Sequence, residues 1–273
     1  MPVVEIHTDN YRFLQEYVYR ESGIVLDGDK HYLLEARLMP IVTEMHLDTL
    51  NDLCALLRAT SAGSVRQQVV EAMTTNETFF FRDMPQYDAL RTVVIPDLIE
   101  QRQATRKLSF WSAAASSGQE AYSLAMMLLE MKLGNWDIEI YATDLSTRML
   151  ERARSGRYLQ VEMNRGLPLE YLTRYFTRDG VGWQLNDEVR GMVKFAHIDL
   201  RQGMSTLGPF DVVLCRNVLI YFDVESRKNI LREIRGAIRS GGYLLLGGSE
   251  TTLNLDASFV QQTIGTAVLH RVP

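Results

Sequence analysis

The sequence predicts an α/β protein, a doubly wound and mostly parallel sheet behind an N-terminal all-α region. Three observations predict it. Residues 1–73 carry helical patterning and nothing else. From Leu108 onward, short apolar runs alternate with helical stretches, the pattern of buried strands covered by helices on both faces. One segment, residues 158–190, interrupts that alternation and reads as a small inserted subdomain.

In the all-α region, Leu14, Tyr17 and Val18 share one face of a first helix, with Asp9 or Asn10 as its expected cap. A second helix is expected from His31 to Met45, bent or broken at Pro40, where proline removes a backbone donor. A third starts near Thr49 and carries Leu50, Leu53 and Leu57. A fourth opens at Ser64, with Gln67 at the spacing of a capping box. Residues 74–92 read as a linker and residues 93–273 as the α/β domain. Its strands are expected over Leu108–Ala113, Ile138–Thr143, Val193–His197, Phe210–Cys215 and, after a helix at Val224–Ile238, Gly242–Leu246. The last stretch, FVQQTIGTAVLHRVP, reads as one or two closing antiparallel strands.

Composition narrows the class. The 273 residues are 46% hydrophobic and 23% charged, as in an ordinary globular protein, with a net charge of −5. An acidic chain argues against non-specific nucleic-acid binding. Cys54 and Cys215 lie far apart in sequence, which predicts a reducing compartment rather than a disulfide framework. The opening residues, MPVVEIHTDN, lack the pattern of a signal peptide, and no run approaches the ~20 apolar residues that span a bilayer. A cytoplasmic protein without membrane insertion, and a monomer, is the expectation. The five histidines show no metal-ligand spacing.

Ligands of open parallel sheets bind beyond the carboxyl ends of the strands. After the first strand comes SAAASSGQE, a turn of small residues around Gly118; it suits close approach of a ligand or simply tight packing. It is neither a GxGxxG turn nor a P-loop, which argues against a pyrophosphate cradle. The second strand ends at Asp144, which suits the two hydroxyls of a ribose or the cap of the following helix. After the third strand, Asp199 and Leu200 are placed to flank an adenine, and after the fourth come Arg216 and Asn217. A nucleoside held without a phosphate cradle on such a sheet points to S-adenosylmethionine. Its sulfonium methyl is already activated, so alignment with a nucleophile carries much of the rate. One stretch, TTNETFFFRD, has no such reading: Phe79, Phe80 and Phe81 stand among Thr75, Asn76, Thr78 and Arg82, with no period that sorts the two kinds.

In order along the chain, TTNETFFFRD, WSAAASSGQEAYSLAM, YATDLS, CRNVLIYFD and GGYLLLGGSE resemble the chemotaxis receptor methyltransferases, the CheR family. The resemblance covers nearly the whole chain. It implies a helical N-terminal domain, a Rossmann-like S-adenosylmethionine-binding domain, and a small antiparallel β insertion at about 158–190. The implied activity is that of a protein-glutamate O-methyltransferase acting on the cytoplasmic helical bundle of chemoreceptors and releasing S-adenosylhomocysteine. By this resemblance Asn76, Thr78 and Arg82 line the cofactor, and the phenylalanines dock their linker onto the sheet. Glu120 meets the cofactor's α-amino group, Asp144 the ribose, Asp199 and Leu200 the adenine, and Arg216 and Asn217 the rest. Arg82 and Tyr221 are the expected catalytic pair. A glutamate nucleophile is already ionised, so they orient it by hydrogen bonds and no base is required.

The sequence departs from that pattern in three places. Gln119 stands where many relatives have a second acid. The second helix keeps His31, Arg37 and the preceding Lys30 but also holds Glu35 and Glu44, which weakens the basic docking surface expected there. The insertion loop FTRDGVGWQLNDE is short, so no tethering to a receptor C-terminal pentapeptide is expected. The rival readings are another S-adenosylmethionine methyltransferase and a non-catalytic sensor of the cofactor. RNVLIYF lacks the prolines of the [DN]PP[YF] motif of amino-methylating enzymes, and intact Arg82, Asp144 and Tyr221 argue against a decayed site.

Overall fold

The computed structural model describes residues 6–26, 31–59, 63–204 and 207–273. Contacts divide the chain into two compact units, the first reaching Thr75 and also including Tyr221–Asp223, the second comprising Asn76–Ile220 and Val224–Pro273.

The first unit is helical: α1 Thr8–Ser22, α2 His31–Glu44, α3 Leu50–Arg58 and α4 Gly63–Met73. Leu14, Val18, Leu34, Leu38, Leu53 and Val69 are fully buried at its centre. Several details differ from expectation. Asp9 and Asn10 lie inside the first turn of α1, whose cap position is His7; Asn10 instead donates from Nδ2 to Asn51 at 2.8 Å. α2 runs unbroken through Pro40, with Leu38, Ile41 and Val42 buried on both sides of the proline. Packing on this scale outweighs the cost of one missing backbone bond. Ser64 falls within α4, and the capping box lies at Thr49 and Asp52, where each side chain meets the other's backbone N–H. Arg37 donates to the carbonyls of Met73 (2.6 Å) and Thr74 (3.0 Å) and to Thr75 Oγ1 (2.9 Å). His31 stacks on Tyr11 at 3.7 Å. Lys30 lies outside the described residues. Two of the basic groups expected to serve docking therefore have structural partners.

The second unit opens with α5 Met84–Ala89, a π-helical turn Leu90–Val94 and α6 Ile95–Gln101. Then follow β1 Lys107–Ala113, α7 Gln119–Glu130, β2 Asp137–Asp144 and α8 Thr147–Ser155. The insertion holds β3 Arg157–Leu159, α9 Gln160–Met163, α10 Leu169–Tyr175, β4 Phe176–Asp179, β5 Gly182–Leu185 and α11 Asp187–Gly191. The sheet resumes with β6 Val193–His197 and β7 Phe210–Cys215, then α12 Val224–Ala237, β8 Ile238–Leu246, β9 Val260–Ile264 and β10 Ala267–Arg271.

The seven-stranded sheet has the order β6-β2-β1-β7-β8-β10-β9. Its first five strands are parallel, and β10 and β9 close it antiparallel. β7 is buried at every position and β1 at all but its first, as covered parallel strands must be. The strand order reverses between β1 and β7, so their carboxyl ends frame a crevice. The insertion is a separate antiparallel sheet, β3-β5-β4. Among the described residues, no helix is long and apolar enough to cross a membrane.

Candidate functional site

Four strand ends, those of β1, β2, β6 and β7, and the segment Asn76–Asp83 build the site, all within the second unit. In the turn after β1, Ala114 and Ser116 hold φ of 67° and 50°. At Gly118 (φ 91°) an added Cβ would lie 2.9 Å from Ala153 Cβ and 3.1 Å from the Tyr122 ring, so only glycine fits. The turn's backbone N–H of Ser116 donates to Asp144 Oδ2 at 2.8 Å, while Ser116 Oγ donates to the Asn76 carbonyl at 2.9 Å. One serine thus joins the linker, the first strand end and the second.

Asp144 Oδ1 accepts from Ser146 N–H at 2.8 Å. The helix cap is Ser146 itself, whose Oγ accepts from Met149 N–H at 3.2 Å, so Asp144 braces two turns and caps no helix. A carboxylate has about four acceptor positions, so backbone N–H groups do not fill that of Asp144. Burial pushes its carboxyl above the usual range, opposed by the N–H groups of Ser146, Ser116 and Leu145. Asp199 follows β6 and is forked by Arg201 Nε and Nη2, the latter at 2.6 Å. A pocket of about 230 Å³ opens there, lined by His197, Ile198, Asp199 and Gln202–Met204 with Leu207. Leu200 is buried and stands outside that lining.

The third cluster centres on Arg216, after β7, with its side chain 2% exposed. Its Nη1 donates to Glu120 Oε2 at 2.9 Å; its Nη2 donates to the Arg82 carbonyl at 2.7 Å and to Asp83 Oδ2 at 2.6 Å. Glu120 also accepts from Ser112 Oγ at 2.7 Å. Burial raises the Glu120 carboxyl, and Arg216 and Ser112 oppose that. A buried carboxylate needs such partners, which is why Glu120 is paired within the protein rather than left open to a ligand alone. Gln119 is buried too, accepting from Ser117 Oγ at 2.8 Å and reaching Glu162 at 3.3 Å.

Arg82 lies between two strained residues, Phe81 (φ 50°) and Asp83 (φ 60°). Such backbone persists only where its surroundings hold it. Here Phe81 N–H donates to Ser123 Oγ at 2.9 Å. Phe80 packs edge-on against Tyr158 and Phe176, with ring centroids 5.0 and 5.5 Å away. Phe81 meets Tyr87 at 5.2 Å and Tyr171 at 4.6 Å. Phe80 and Phe81 therefore meet aromatic rings of the insertion and α5 within the core cluster that also holds Leu108, Phe110, Ile140 and Val212 of the sheet. Phe79 is only half-buried: the guanidiniums of Arg82 and Arg165 lie 5.4 and 4.7 Å from its ring centre. Gly166 (φ 82°) lets the insertion touch this segment, since a Cβ there would fall 2.1 Å from the Phe80 carbonyl oxygen. Arg82 itself donates to the Glu77 carbonyl at 3.3 Å and, among the described residues, has no carboxylate within ion-pair distance. Thr78 is half-buried beside it in sequence.

Asn217 (φ 58°) has a buried Oδ1 without a partner. The structure adds a residue that strand-end reading overlooked, Glu250. Its carboxylate accepts from the N–H groups of Asn217 (2.7 Å), Val218 (2.9 Å), Leu219 (2.7 Å), Ile220 (3.4 Å) and Gly247 (2.7 Å). An acid ending the small-residue turn GGSE was the available signal. Asp83 and Ser116 were overlooked too, because short polar side chains in turns are common. Tyr221 belongs to the first unit; it ends the short 3₁₀ turn Leu219–Tyr221, and its carbonyl accepts from Val25 N–H at 2.9 Å.

Comparison with known families gives the class first. Residues 76–267 match "CheR methyltransferase, SAM binding domain", and residues 9–74 match "CheR methyltransferase, all-alpha domain". The second unit is thus an S-adenosylmethionine-binding methyltransferase domain. The chain belongs to the CheR methyltransferase family. It is 39% identical over 268 residues to "Chemotaxis protein methyltransferase 1" of Pseudomonas aeruginosa, covering 96% of this chain and 97% of that one. To "Chemotaxis protein methyltransferase" of Vibrio parahaemolyticus it is 35% identical over 277 aligned positions, covering all of both chains.

The residues present fit the cofactor. Asp144 offers unfilled acceptor positions for a diol, Glu120 a carboxylate for an ammonium, and Asn217 an unpartnered acceptor. The pocket of about 230 Å³ beside Asp199 adds a concave face.

Proposed function

We propose that the protein transfers the methyl group of S-adenosylmethionine to glutamate side chains of chemoreceptors, giving glutamate methyl esters and S-adenosylhomocysteine. It acts on the receptors' cytoplasmic helical bundle, as a cytoplasmic monomer. The observation that supports this best is Arg82: a guanidinium on a strained, aromatic-pinned turn, beside the strand ends and without a carboxylate of its own. That suits a carboxylate brought by another molecule.

When bound, the cofactor supplies an electrophilic methyl. In this reading Asp144 holds the ribose hydroxyls, Asp199 and Leu200 the adenine, and Glu120 the α-amino group, with Asn76, Thr78, Arg82 and Asn217 along the remainder. Arg82 and Tyr221 each donate to the incoming glutamate, which fixes one oxygen and leaves the other to attack in line. They position the carboxylate without neutralising it, since full charge pairing would blunt its nucleophilicity. The turn joining β4 to β5 is short, Gly180–Val181 between the paired residues Asp179 and Gly182. That supports action without a receptor C-terminal tether.

The test is transfer of labelled methyl to purified receptor membranes. Alkali-labile label released as methanol is the expected result. No transfer to any candidate receptor would favour a non-catalytic sensor. Calorimetry with a receptor tail peptide addresses the tether, and a clear micromolar isotherm would overturn that part.

A further inference from the structure

We propose that Arg216 is a positioning residue, tying the cofactor's ammonium site to the placement of Arg82 rather than serving the cofactor directly. The proposal rests on the reading of Arg82 given above. Three contacts carry it. Through one amino group the Arg216 guanidinium holds Glu120; through the other it holds the Arg82 carbonyl and the Asp83 carboxylate. It therefore bridges the first turn of α7 and the turn that presents Arg82. Its side chain is 2% exposed and that of Glu120 12%, so that arm of the bridge is shielded from water and neither of its charges can easily be left alone.

The backbone gives the bridge its purpose. Phe81 and Asp83 both hold left-handed φ, and the bond to the carbonyl between them fixes the peptide that sets Arg82's direction. Aromatic packing holds the turn on the side of Phe80 and Phe81; on the side of Asp83, whose side chain is 45% exposed, the Gln86 N–H bond to its carbonyl at 2.9 Å fixes the backbone and leaves the carboxylate to be anchored separately. Arg216 supplies that second anchor. A planar fork suits the task, since it fixes direction as well as distance. Coupling follows: a ligand ammonium on Glu120 and a substrate carboxylate on Arg82 share one rigid guanidinium, so each favours the geometry the other needs.

The experiment is a double-mutant cycle of Arg216→Lys and Asp83→Ala, with Asp83→Asn as the conservative control. Asp83 is half-exposed and its side chain caps no helix, so its variants keep the fold even should Arg216→Lys fail to. Hydrogen exchange of the peptide 76–83 and S-adenosylhomocysteine binding are read alongside methyl transfer. Asp83→Ala is expected to speed exchange of that peptide and lower kcat about tenfold, with Asp83→Asn recovering part of it. Arg216→Lys should cost less in the Asp83→Ala background than in the native chain, because one of its three contacts is already gone there. Native exchange and native kcat in Asp83→Ala would overturn the proposal, as would effects of the two variants that simply add. Exchange and product binding need no protein substrate. If the native chain transfers no methyl to receptors, the functional reading fails while the role of Arg216 is still decided.

Discussion

At the scale of single residues, the strand-end acids separate into those that hold and those that are held. Asp144 binds two turns yet keeps lone pairs to offer; Asp199 is already forked by Arg201. Asp144→Ala is expected to weaken S-adenosylhomocysteine binding roughly 10- to 100-fold, as for lost hydrogen bonds to a charged acceptor. Arg82→Ala should lower kcat by about 10²-fold, the scale of one lost transition-state donor. Calorimetry and the transfer assay separate the two effects. Asp144 and Glu120 are both raised by burial. Product affinity should therefore decline on acidification starting above the usual carboxylate range, because a protonated carboxyl loses its charge and acceptors. Asp144→Asn should flatten that profile. In the ligand-free protein the sign reverses. Between the ordinary and the raised value the native state binds more protons than the unfolded chain, so stability falls as pH rises there. Asp144 and Arg82 drew notice because a strand end and an odd polar residue stand out in sequence. The use of Arg216 did not, since which group a guanidinium meets is decided by residues such as Asp83 and Glu120, distant from it along the chain.

At the scale of elements, the insertion is the support on which the Arg82 turn rests. Phe80 lies between Tyr158 and Phe176, and Gly166 meets the backbone of Phe80. Gly166→Ala is expected to cost about 2 kcal/mol or more, because its φ of 82° disfavours any Cβ and its neighbour is backbone that cannot rotate away. Thermal unfolding measures that loss, and hydrogen exchange should show it first at residues 76–83. The break in alternation at 158–190 was readable, and its role was not. A run of phenylalanines announces burial without saying against what. Pro40 misled for a related reason: local rules forecast a broken helix, and the buried residues around it keep α2 whole.

At the scale of the whole molecule, the order β6-β2-β1-β7-β8-β10-β9 was legible in part. Apolar runs gave the strands, but the placing of β10 between β8 and β9 is a tertiary fact that alternation does not encode. The chain comprises two compact units, and the predicted cofactor residues of strand ends and linker all lie in the second. Calorimetry is expected to show two transitions. Saturating S-adenosylhomocysteine at 100 times its Kd should stabilise one of them by about 2.7 kcal/mol and leave the other near its original temperature. A single transition that moves as a whole would mean the units unfold together.

The carboxylate of Glu250 acts as a keystone for two loops, because it collects amides from both the Asn217–Ile220 stretch and Gly247. The five groups bonded to it are all donors, so the position favours oxygen over nitrogen. Glu250→Gln keeps the shape but sets an N–H against N–H groups. It should lower stability by about 2 kcal/mol, read as a fall in Tm, although it swaps one atom for another of nearly equal size.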